Sequence, residues 1–250
     1  MNDGSSAKPA AASPPASNRG FTLIEMAVAL FIITLLLGSI LVPLTTQVNQ
    51  RKASDTQRAL DEVKEALVGF AITNGYLPCP AVSATNGFED RTAGICTGGK
   101  RAGYIPWATL GASKLDGWGR IFRYSVTPAY ASSAAPFTLG TAADITIRTR
   151  DATGALANLS NVNAIPAVVL SHGRNGYGAV DDLGVVQAVS AGWPGTNPDE
   201  SANATGTTAF VSRVEQIGMG TGVGGEFDDI VAWLSPNILF NRMVAAGKLP

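Results

Sequence analysis

Two regimes of apolar patterning divide the chain. From residue 21 to 44 nearly every position is apolar, Glu25 is the one acid, and no lysine or arginine interrupts the run. A run of that length is enough for a helix to cross a bilayer, which takes about 20 residues. Gly38 and Pro43 are its weak points, because a proline removes a helix hydrogen bond, so a kink is expected near 39–43. From residue 45 to 74 the pattern becomes two-faced. Leu60, Val63, Leu67 and Phe70 recur at three- and four-residue steps, and Arg58, Asp61, Glu62, Lys64 and Glu65 hold the opposite face. Asp61 and Lys64 are spaced for a local pair, and Asn74-Gly75 is a helix stop.

Beyond residue 75 the helical period is lost. Leu77-Pro78-Cys79-Pro80 excludes helix, because each proline biases the residue before it to extended conformations, and 76–116 reads mostly as loop. Ile105-Pro106-Trp107 and Leu110-Gly111 supply apolar anchors within it. After the turn Asp116-Gly117-Trp118-Gly119, strands are predicted over 121–126, 145–149, 167–171, 210–214 and 229–234, the third a continuous apolar run suited to a central position. Residues 192–208 read as a Gly/Pro/Asn/Thr loop. Ser235-Pro236 opens a short C-terminal helix whose apolar side is Ile238, Leu239, Met243 and Val244, with Gly247 at its end. These elements predict an α+β chain: a long N-terminal helix whose second half packs on an antiparallel sheet.

Composition narrows the class. Lys and Arg total 18 against 19 acids and form no dense patch, which argues against nucleic acid as a partner. The Ala/Ser/Pro-rich residues 1–18 are expected to be disordered. Lys8 and Arg19 precede the apolar run, in keeping with a cytoplasmic N-terminus, although Arg51 and Lys52 on the far side weaken the contrast. The two cysteines, Cys79 and Cys96, would in an oxidising compartment close a short loop, stabilising by about 3 kcal/mol. The membrane anchor and the lack of other cysteines point to that bond. The alternative is two separate thiols, and no companion His/Cys set supports zinc.

Gly20-Phe21-Thr22-Leu23-Ile24-Glu25 followed by an apolar helix resembles the processing site of type IV prepilins and type II secretion pseudopilins. The polar leader before it has no apolar core and no small-x-small cleavage site, unlike a secretory signal. The resemblance implies a pilin-like fold. It also implies a cut between Gly20 and Phe21 by a prepilin peptidase, and N-methylation of Phe21. Glu25 becomes an assembly residue that meets the charged terminus of a neighbouring subunit; the plainer alternative is an acid reaching the membrane interface. The implied organisation is a leader over 1–20, a transmembrane helix over 21–44, an amphipathic helix over 45–74 and a periplasmic head over 75–250. In the head, Asp116-Gly117-Trp118-Gly119 resembles the Asp-Pro-Trp-Gly segment of major pseudopilins, and Tyr76-Leu77-Pro78-Cys79-Pro80 resembles a subset of minor subunits.

Ser171-His172-Gly173-Arg174-Asn175-Gly176 and Asp229-Ile230-Val231-Ala232-Trp233 resemble the segments that bind calcium in major pseudopilins. Carried over, Asn175 and Asp229 are the side-chain ligands, joined by the carbonyls of His172 and Val231. Asn175 stands where those relatives have an aspartate, which removes a charge, and a turn-rich hairpin packed by Trp233 is the alternative. No cofactor is required on this reading, and Ca²⁺ is the one ion implied. Catalysis is disfavoured: His172 is the only histidine, Ser171 beside it points to the opposite face of a strand, and no nucleophile elbow is present. The glycine-rich run at 218–225 lacks the Lys-Ser/Thr ending of a phosphate loop.

The resemblance thus implies an inner-membrane, single-pass filament subunit of a type II secretion pseudopilus or type IV pilus, with its head in the periplasm. Its partners are the prepilin peptidase, other subunits along the N-terminal helix, and an inner-membrane assembly platform. The alternatives are an adhesive or ligand-binding tip subunit and an enzyme tethered by a pilin-like helix.

Overall fold

The structure is a computed structural model that describes residues 20–189, 195–218 and 222–249, without the side chains of 39–44. The expected leader over 1–20, apart from Gly20, the side chains at the expected kink near 39–43 and the middle of the glycine-rich run lie outside the described residues. In chain order the elements are α1 (Leu23–Asn74), β1 (Arg91–Thr92), β2 (Ile95–Cys96), β3 (Ala102–Tyr104), α2 (Trp107–Leu110), β4 (Arg123–Val126), β5 (Thr146–Arg150), β6 (Leu156–Asn158), β7 (Ala167–Ser171), α3 (Pro198–Thr205), β8 (Ala209–Val211), β9 (Ile230–Leu234) and α4 (Pro236–Ala245). The chain falls into two compact units, one ending at Gln47 and the other beginning at Val48.

In the first unit, α1 carries large apolar side chains that are mostly exposed, among them Leu23, Ile24, Phe31, Leu35 and Leu37. Among the described residues no helix is long and apolar enough to cross a membrane. The span expected at 21–44 includes the six positions whose side chains are outside the description.

In the second unit the two-faced pattern of α1 does what its spacing dictates. Leu60, Val63 and Leu67 are fully buried in the main core with Phe122, Tyr124, Val126, Val169, Leu239 and Met243. Phe70 is half-buried and meets Tyr76 edge-on, with ring centroids 5.7 Å apart. The Asp61–Lys64 pair forms at 2.7 Å on the exposed face.

β3, β4, β7 and β9 form one antiparallel sheet in that order. The continuous apolar run becomes β7, buried at every position. Ala167 and Val169 join the core shared with α1, whereas Val168 and Leu170 join a second core with Ile145, Ile147, Ile165 and Phe210. A strand covered on both faces has no polar positions to alternate with, hence the unbroken run. The second core lies against a smaller sheet ordered β6-β5-β8. Its β5–β8 pairing is parallel, so the head is not purely antiparallel as expected.

Three stretches differ from the sequence expectation. Within 76–116 the chain forms the β1–β2 hairpin, β3 and α2, elements of two to four residues that are too short to show a period. This region is tied down by the Cys79–Cys96 disulfide, with Cα atoms 5.4 Å apart, and by Arg91, which donates to Glu89 and to the carbonyls of Leu77 and Ala131. β6 adds a strand with no apolar alternation. Residues 198–205, expected as loop, form α3, whose buried positions are Asp199, Glu200, Ser201 and Asn203. A helix that buries polar groups has no apolar stripe to reveal it.

Candidate functional site

The N-terminal candidates sit at the start of α1. Gly20 and Phe21 are exposed ahead of the first helical residue, Leu23, and Phe21 is 83% exposed. Thr22 accepts the first helical bond, from Met26 N–H at 3.1 Å. Its backbone N–H and its hydroxyl each donate to the Glu25 carboxylate at 2.8 Å, and Glu25 N–H donates back to Thr22 Oγ1 at 3.3 Å. This is a reciprocal capping box, in which a hydroxyl residue and an acid three positions on satisfy each other's free helix donors. The Thr-x-x-Glu spacing carries that signal in the sequence, beside the assembly role and the reach to the membrane interface expected of the acid.

The candidates in the head converge on a buried acidic cluster. Glu200 from α3 and Asp228 and Asp229 at the entry to β9 each bring a carboxylate oxygen within 4.8 Å of the others. Asn175 is there too, but its Nδ2 donates to both Glu200 oxygens at 3.0 and 3.1 Å, and its backbone N–H donates to Asp228 Oδ2 at 2.8 Å. Asn197 Nδ2 donates to Glu200 at 2.6 Å, Asp228 N–H donates to Glu200 Oε1 at 2.9 Å, and Asn203 Nδ2 donates to Asp229 Oδ2 at 2.8 Å. The structure therefore places Asn175 and Asp229 together and adds Glu200 and Asp228, which the sequence reading did not consider as ligands. The His172 carbonyl accepts Gly176 N–H at 3.0 Å, and Val231 lies in β9 opposite Leu170.

The loop after β7 is shaped for this approach. Gly173 has φ +57°, and a Cβ there would sit 2.1 Å from the Asp228 carbonyl oxygen, so only glycine lets the two segments meet. Arg120 donates to the carbonyls of Gly173 and Arg174. Ser171 Oγ donates to Asp116 Oδ2 at 2.5 Å, and Asp116 Oδ1 accepts the N–H groups of Trp118 and Arg120. The Asp116–Gly119 turn is thus anchored to β7 through Ser171, which leaves that hydroxyl a structural task. At Gly117 a Cβ would lie 2.4 Å from the Lys52 carbonyl oxygen, and its N–H donates to Thr56 Oγ1 at 2.9 Å, so the same turn clamps on α1.

The electrostatics of the cluster are those of charges deprived of water. Burial, reinforced by the charge of Asp229, pushes Glu200 up to about 8. Burial is also the largest cause that pushes Asp228 up to about 7. Asp228 Oδ1, Asp229 Oδ1 and His172 Nδ1 are shut off from solvent with no hydrogen-bond partner; the last two lie 3.6 Å apart. Three oxygen donors with two of them unmet fit a hard cation such as Ca²⁺, which takes carboxylates and carbonyls in irregular geometry.

Residues 15–41 match the family model of the prokaryotic N-terminal methylation motif, the hallmark of type IV pilin and pseudopilin precursors. The match covers 27 of the 250 residues and none of the head. No curated protein and no solved structure matches the chain.

Proposed function

We propose that this chain, which carries the prepilin-type motif, is a structural subunit cut between Gly20 and Phe21, methylated on Phe21, and assembled through its N-terminal helix into a type II secretion pseudopilus or a type IV pilus. The motif match over 15–41 carries this reading. Two features of the first unit support it. The Gly20–Phe21 bond is exposed in non-helical backbone, as a protease substrate must be, and the apolar side chains that follow are uncovered. Apolar surface of that extent is tenable only in lipid or against other helices. The protein waits in the inner membrane, held over residues 21–44 with its head in the periplasm. Glu25 then exchanges its Thr22 partners for the charged terminus of a neighbour in the bundle. The head carries out no catalysis. Its acids Glu200, Asp228 and Asp229 take up Ca²⁺, which displaces the protons that burial favours on Glu200 and Asp228.

The experiment is intact-mass and N-terminal peptide analysis of the protein from its membrane, with and without prepilin peptidase. A chain that begins at N-methyl-Phe21 only when the peptidase is present is the expected result. An unprocessed chain under both conditions would sink the filament reading.

A further inference from the structure

A pocket whose lining holds none of the acidic cluster's carboxylates opens on the face of the sheet turned away from α1. Strand alternation places an arginine there. Tyr124 and Val126 of β4 point into the core shared with α1, so Arg123 and Ser125 point the other way. Ser125 Oγ donates to the Thr207 carbonyl at 2.7 Å, and Arg123 Nη2 donates to the Gly206 carbonyl at 2.8 Å. Arg123 Nε is closed off from solvent and has no partner. Among the described residues no carboxylate pairs with this guanidinium. Arg91, Arg101, Arg150 and Arg213, by contrast, each hold one. Burial pushes the Arg123 guanidinium down from its usual range, as expected for a cation without a counter-ion.

Arg123 borders a cavity of about 180 Å³, together with Tyr104, His172, Ile121 and Val180. No acidic side chain is in its lining among the described residues. We propose that this cavity binds a carboxylate group, which meets the Arg123 guanidinium and supplies the missing charge. A guanidinium edge matches the two oxygens of a carboxylate, and such charge-assisted pairs are short and strong. One cation balances one carboxylate; a phosphate dianion would remain half-neutralised in a site with a single positive side chain. The cavity is smaller than the roughly 300–1,000 Å³ of sites for drug-sized ligands, so it admits a small acid or the terminal carboxylate of a chain.

Saturation-transfer NMR on the full-length protein in detergent micelles tests this at fixed ionic strength. The probes are acetate, a short peptide with a free C-terminal carboxylate, the same peptide amidated, and inorganic phosphate. Saturable binding of acetate or the free-carboxylate peptide is expected, with no binding of the amidated peptide. Arg123→Lys should weaken it at least tenfold, and Val180→Phe, which fills the cavity while keeping the arginine, should do likewise. A peptide preferred over acetate identifies a chain terminus as the source, and equal binding identifies a small acid. Absence of saturable carboxylate binding to the wild-type protein overturns the proposal without recourse to any variant. So does phosphate binding in its place, or an Arg123→Lys protein that binds carboxylate as wild type does.

Discussion

Two glutamates separate the two parts of this molecule. Glu25 is exposed at the start of α1, and its partner Thr22 is three residues away. Glu200 is sealed inside the head, and besides Asn197, three residues away, its partners Asn175 and Asp228 lie 25 and 28 residues away. The first acid is placed by helix geometry and stays available to another chain. The second is placed by the whole head, and its own environment resists its charge. An exposed acid with local partners is thus suited to exchange them on assembly, and a buried one to hold a proton or an ion.

The largest effect that sharpens this contrast is expected at Asp199, which pairs with Arg150 at 2.6 Å and Arg213 at 2.8 Å inside the head. Asp199→Ala leaves two poorly solvated guanidinium groups without a counter-charge and should cost about 3–5 kcal/mol in urea unfolding of the full chain. A loss below about 1 kcal/mol, the range of surface pairs, would mean that the polar interior is not what holds the head. Reduction of the Cys79–Cys96 bond, which spans a sequence separation of 17, should cost about 3 kcal/mol in the same assay.

The acidic cluster gives a pH signature. Glu200 and Asp228 bind protons more tightly in the folded chain than in the unfolded one. Their contribution to stability is fully present below the ordinary carboxylate range and is lost as pH rises through about 7 for Asp228 and about 8 for Glu200. In chelator the melting temperature should therefore fall between pH 5 and pH 8. Ca²⁺ should restore it more strongly at the upper end, by about 2.7 kcal/mol at a hundredfold excess over its dissociation constant. Glu200→Gln, an uncharged isostere, should flatten the decline in chelator and remove the calcium response. A calcium response that persists in Glu200→Gln would show that the ion binds elsewhere.

The smallest stability effect belongs to the exposed acid. Thr22→Ala removes one arm of the capping box and should weaken the start of α1 by about 1 kcal/mol, seen as faster amide exchange there. Comparison with Glu25→Ala separates capping from assembly. If the acid acts between subunits, Thr22→Ala enters filaments and Glu25→Ala does not; equal defects would reduce Glu25 to a helix cap.

What the sequence determined by itself was local and apolar. The α1 stripe at Leu60, Val63 and Leu67, the central strand β7 and the short helix α4 all follow from spacing within one element, because burial of an apolar face leaves its period in the chain. The two cysteines were legible as a pair because they are the only ones in the chain. Only the tertiary structure decided the polar interior. Nothing in Asn-Pro-Asp-Glu-Ser-Ala-Asn-Ala announces that α3 would bury Glu200, and nothing near Arg123 announces that no carboxylate among the described residues would meet it. The parallel β5–β8 pairing, too, joins segments more than sixty residues apart, such as Thr146 and Ala209. Hydrogen bonds and ion pairs in such an interior join residues from separate elements, as in Asn203 to Asp229 and Asn175 to Asp228. They leave no period, because each polar group is satisfied by whatever the fold brings to it.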